Sequence, residues 1–154
     1  MKKLLLLVFA YVVSIKCKDV HHDKSSLNPV TKESQQVKNK IPLTTGCYIF
    51  NDNHNFISLE ITSVEKVIKG KLIYSLWNKD KNSGTFTGHL ENGILLGYYV
   101  FSSEGVESVR EVAFKIKGDQ LLEGYGELNA EGNAFKDVTT LHFNAEMPLK
   151  RINL

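Results

Sequence analysis

The chain has 154 residues, with 19 basic and 17 acidic side chains and a formal net charge of +2. That length fits one domain. Only two residues are arginine, Arg110 and Arg151, and a nearly neutral chain poor in the best phosphate-binding side chain excludes a nucleic-acid binder.

The chain opens with a basic start, Met1-Lys2-Lys3, followed by an apolar run from Leu4 to Val13. A transmembrane helix needs about 20 apolar residues, so this run is too short to span a bilayer. A charged start, a short apolar core and an early end describe a secretory signal peptide over residues 1–16. Without Lys2, Lys3 and Lys16 the chain keeps 16 basic against 17 acidic residues, a net −1.

Cys17 follows directly in "VVSIKCKDVHHDK". A cysteine immediately after such a run resembles the signal of bacterial envelope lipoproteins. The family pattern has a small residue before the cysteine and a leucine-like residue three before; here Lys16 and Ser14 stand there. The resemblance implies that residues 1–16 are removed and that Cys17 is lipidated. It also implies an exported, membrane-anchored protein of the cell envelope, on the periplasmic or outer-membrane face. A soluble exported protein and an uncleaved anchor are the alternatives. Cys47 is the only other cysteine. With Cys17 lipidated it is a lone, buried, core thiol; without the lipid, an oxidising envelope permits a Cys17–Cys47 disulfide.

Residues 17–45 are polar and lack aromatics. Such a composition buries too little apolar area to offset its ordering entropy. This predicts a disordered tether that can be deleted without unfolding the domain at 46–154.

From Gly46 onward, short runs rich in Ile, Val, Tyr, Phe and Leu alternate with Gly, Asn and Asp. The pattern predicts strands at 46–51, 56–63, 66–77, 84–91, 93–102, 109–117, 120–128 and 138–146. Ile57, Leu59 and Ile61 share one face, as do Ile68, Gly70, Leu72, Tyr74 and Leu76; these faces form the candidate core. Asn92-Gly93 and Gly118-Asp119 mark tight hairpins, and Gly132 lies in a longer loop. The predicted fold is all-β: one antiparallel meander of about eight strands, closed into a small barrel or strongly curled, with a β-sandwich as the rival. Closure removes the two exposed edges of a meander, and strand glycines at 70, 84, 88, 97, 124 and 126 favour curling. The shape resembles that of the lipocalins (the calycin architecture) by analogy only. The polar face carrying Lys69, Lys71, Thr85, Thr87 and His89 argues against a lipid-embedded barrel.

Motifs of chemistry are scarce. "DKNSGTFTGHLE" places Asp80, Asn82 and Glu91 at calcium-loop spacing but Thr85 where the loop requires glycine, so it is a turn leading into a strand. His21 and His22 are solvated tether residues, and no metal or nucleophile motif is present. No enzymatic activity, metal or cofactor is expected. Arg110 shares its phase with Val112, Phe114 and Ile116, which points it inward near a barrel mouth. Glu104 or Glu107 would supply its carboxylate and Tyr98 or Tyr74 a hydroxyl. One reading makes this a salt bridge closing the mouth; the other makes Arg110 the group that orients a ligand. The candidate ligand-binding residues are therefore Arg110, Glu104, Tyr98 and Tyr74. The strand 121–128 places Gly124 and Gly126 on one face and Glu123, Tyr125 and Glu127 on the other. The expected function is a monomeric, non-enzymatic binding module for a small apolar or acidic ligand. The alternative is an envelope interaction protein, of the inhibitor or stress-sensing type, with a packed barrel and a protein partner.

Overall fold

The computed structural model describes residues 43–103 and 105–152. They form nine strands: β1 (Gly46–Asn51), β2 (Phe56–Val64), β3 (Ile68–Ser75), β4 (Asn82–Glu91), β5 (Ile94–Ser103), β6 (Val106–Lys117), β7 (Gln120–Tyr125), β8 (His142–Phe143) and β9 (Leu149–Ile152). The first six form an antiparallel meander, and β6 pairs with β7. The short β9 then lies between β7 and β1 and pairs antiparallel with both. Eight strands thus close into a barrel, and β8 adds a two-residue edge on β7. This is the closed, lipocalin-like shape that the alternation implied.

The turns explain the register. Asn92 and Gly93 both have positive φ, 50° and 78°, the requirement of the mirror-image turn whose twist matches a hairpin. Gly118, at φ 63°, opens the turn between β6 and β7. The inward faces of β2 and β3 are as expected: Ile57, Leu59, Ile61, Ile68, Leu72 and Tyr74 are all buried. Gly88 and Gly97 sit opposite each other on β4 and β5. A Cβ on Gly97 would lie 2.6 Å from the Gly88 Cα and 2.8 Å from the Phe86 ring. The bare backbone there lets Phe86 lie over it inside the barrel. Phe86, Tyr99, Phe114, Leu95, Leu121 and Leu149 join the same fully buried cluster, so side chains fill the barrel interior over most of its length.

Three sequence expectations need correction. The strand expected at 138–146 is a 3-10 turn at Val138–Thr140 followed by the two residues of β8. Asp137 caps that turn, its Oδ1 accepting from the Thr139 amide at 2.8 Å, which satisfies backbone that a strand would have paired. The closing strand is instead "LKRI" at 149–152, of which only Leu149 is buried. Second, the domain begins before Gly46. Leu43 is 3% exposed and belongs to the core cluster, and the Thr44 carbonyl accepts from the Tyr48 hydroxyl at 3.2 Å. Third, of the two states open to Cys47 the structure has the disulfide and not the lone thiol, although the residue is buried at 3% exposed. It pairs with Glu60 on the outer face of the barrel, opposite in phase to the inward Tyr48, and it is disulfide-bonded. The lipidation site Cys17, the signal peptide and tether residues 18–42 lie outside the described residues.

Candidate functional site

The polar groups of the barrel interior gather at one end, where β3 leaves the barrel and β6 enters it. Two of the turns rimming this end are tied together. Asp52 Oδ1 accepts from the amides of His54 and Asn55 at 2.7 and 2.5 Å. These amides hold its carboxyl below the usual range. The Asn55 side-chain oxygen then accepts from the Trp77 amide at 3.0 Å, and His54 meets the Trp77 ring edge-on at 4.7 Å.

Glu123 is the centre of the site. The β6–β7 register sets Ile116 against Leu121 and Phe114 against Glu123. Both β6 residues point inward, so Glu123 does too, and it is only 6% exposed. The Tyr74 hydroxyl donates to its Oε1 at 2.6 Å and the Tyr125 hydroxyl to its Oε2 at 2.8 Å. Burial pushes the Glu123 carboxyl up; the two phenols and the Arg110 charge pull it down, and burial wins. Burial, then the carboxylate charge, raises both phenols in turn.

Arg110 pairs with Tyr99 across β5 and β6 and faces inward beside Glu123. Its guanidinium carbon lies 5.2 Å from the centre of the Tyr74 ring and 6.0 Å from that of Tyr99, within cation–π range. Among the described residues, no hydrogen bond or ion pair engages its five N–H donors. Tyr99 is fully buried, stacked on Phe101 at 4.7 Å. Burial raises its phenol to about 12, with Arg110 opposing. Its hydroxyl and the buried Oδ1 of Asn82, which pairs with Tyr74, have no hydrogen-bond partner among the described residues. Buried polar atoms are rarely left so.

A pocket of about 140 Å³ opens beside these groups. Past Phe114 and Glu123 the ladder between β6 and β7 ends, and β7 turns to pair with β8. Arg110, Val112, Glu123 and Tyr125 line the gap, with Leu128 and Phe135 on its far side. The Leu128–Phe135 loop is held there by β6: the Glu111 amide donates to the Asn133 carbonyl at 2.7 Å, and the Phe135 amide to Glu111 Oε2 at 2.8 Å.

The sequence candidates fare unevenly. Arg110 and Tyr74 meet at this site. Tyr98 does not: it is 52% exposed on the outer face, paired with Thr87 and Glu111, and its neighbour Tyr99 turns inward. Glu107 is exposed and opposite in phase to Arg110, so it closes no mouth; Glu104 lies outside the described residues. The carboxylate facing Arg110 comes instead from Glu123. Sequence reasoning placed Glu123 on a strand face but not in the site. Among the described residues no three His, Cys, Asp or Glu side chains gather as metal ligands.

No family model matches the chain, and neither a curated protein nor a solved structure matches it.

Proposed function

We propose that this chain is an exported, non-enzymatic binding module of the bacterial cell envelope whose barrel takes one small acidic ligand at the Arg110 end. One observation carries the reading: an inward guanidinium whose donors are unengaged among the described residues lines a pocket of about 140 Å³. A guanidinium stays charged and seeks an anion. The apolar alternative is disfavoured, because drug-sized ligands occupy pockets of about 300–1,000 Å³ and this one is about 140 Å³.

Export is supported by the leader pattern and by the disulfide at Cys47, since such bonds persist in oxidising compartments. A lipid on Cys17 and an intrachain disulfide from Cys47 compete for one sulfur, because the chain has only two cysteines. The disulfide therefore favours soluble export over the lipid anchor. Intact-mass spectrometry without reductant decides between them. A lipid adduct on a chain beginning at Cys17, with Cys47 open to alkylation, would restore the anchor.

The ligand is tested by calorimetry with propionate and other short carboxylates on the wild type and on Arg110→Gln. Saturable binding lost in the variant is the expected result; no binding to the wild type overturns the reading. The second reading, a protein partner, draws on the filled interior and on Trp77 and Val106, which are 62% and 65% exposed at the same end.

A further inference from the structure

The pocket that Arg110 lines also contains its opposite charge. Arg110 and Glu123 both face this space, yet no ion pair within 4.0 Å joins them; Glu111, at the pocket wall, has its Oε2 taken by the Phe135 amide. A simple anion drawn to Arg110 meets the Glu123 carboxylate as a like charge, and a simple cation drawn to Glu123 meets Arg110. A molecule carrying both charges meets a partner for each. We infer that the ligand of this site is a small zwitterion of amino-acid size, with its carboxylate on Arg110 and its ammonium toward Glu123. The inference rests on the proposed binding role of the pocket and narrows its ligand class.

Three features support it. Both phenols donate to Glu123, one to each oxygen, the pattern of an ionised carboxylate, which has about four acceptor sites and so keeps capacity for an ammonium. Tyr125 lines the same pocket, and an aromatic ring attracts a cation through its face. Size sets the limit. A dry cavity of about 150 Å³ holds benzene, about six non-hydrogen atoms, and the pocket here is about 140 Å³. That matches the smallest α-amino acids.

Three probes of nearly equal size separate the charges. L-alanine has both, propionate only the acid and isobutylamine only the base. Calorimetry on the intact wild-type chain at neutral pH and low salt should give alanine at least about tenfold tighter than either single-charge probe. Propionate binding as tightly as alanine overturns the zwitterion while leaving the acidic-ligand reading standing. No binding of any probe overturns both. In Glu123→Gln the alanine preference should vanish while propionate binds at least as tightly as to the wild type, and a variant that keeps the preference also refutes the assignment. Should that variant not fold, the wild-type comparison still decides.

Discussion

Replacing Tyr74 with Phe removes one hydroxyl and almost no volume, which isolates the hydrogen bond it gives to Glu123. That bond is 2.6 Å long, and its acceptor carboxylate is 6% exposed. Hydrogen bonds to charged groups contribute about 1.5–3 kcal/mol, and removal leaves the acceptor's desolvation uncompensated. We expect Tyr74→Phe to cost about 2–3 kcal/mol at neutral pH, which for a domain of this size lowers Tm by about 8–12 °C. The loss should depend on pH. Burial raises the folded Glu123 carboxyl above its ordinary value of 4.5. Its contribution to stability is therefore full below that value and fades as pH rises through the raised folded value. Tyr74 is one of the groups holding the folded value down, so the variant raises it further and extends the decline to higher pH. Thermal melts followed by circular dichroism at pH 4 and pH 7 should show the smaller penalty at pH 4. A fall in Tm under about 2 °C at pH 7, or equal losses at both pH values, would refute the linkage between the two groups.

Two further substitutions test the frame around the site. Leu43→Ala should cost about 2–4 kcal/mol in urea unfolding, because Leu43 is 3% exposed within the core cluster; an effect within about 0.5 kcal/mol would return the domain boundary to Gly46. Tyr99→Phe deletes a buried hydroxyl with no partner among the described residues, so stability should hold or rise slightly, and a loss above about 1 kcal/mol would mean that a donor or acceptor engages that hydroxyl.

Much of the barrel is legible because its strands alternate. β3 and β4 carry Lys69, Lys71, Thr85, Thr87 and His89 outward, which fixes the phase of each strand without any neighbour. In β5, "ILLGYYVFSS" is apolar on both faces, so its own pattern chooses neither Tyr98 nor Tyr99. The register imposed by the Asn92-Gly93 turn does, by placing Tyr99 against the inward Phe86. Glu123 was readable by the same logic. A two-residue turn at Gly118-Asp119 forces Phe114 opposite Glu123, and an inward phenylalanine makes its partner inward. Hydropathy obscures this, because a buried glutamate violates the pattern by which strand faces are assigned. Strand β9 left almost no signal: four residues, two of them charged, define no period, and only the barrel's need for closure gives them a place. The state of Cys47 depends on distance and phase, which two cysteines 17 and 47 in a sequence do not encode.

The position of β9 sets an order on folding. The first six strands can zip up hairpin by hairpin, each joined to the next by a short turn, whereas closure joins Cys47 to Ile152 across nearly the whole described chain. Contacts of such separation carry the largest loop-closure entropy and form slowly. A chain threaded through an export channel from its N-terminus would therefore emerge as an open, curling sheet, with β1 showing an unpaired edge until the last strand arrives. That interval is when the molecule is most open to strand-to-strand association with another copy. It makes the hydrophilic β9, with Lys150 and Arg151 exposed beside a single buried leucine, a latch suited to remaining soluble until it is seated.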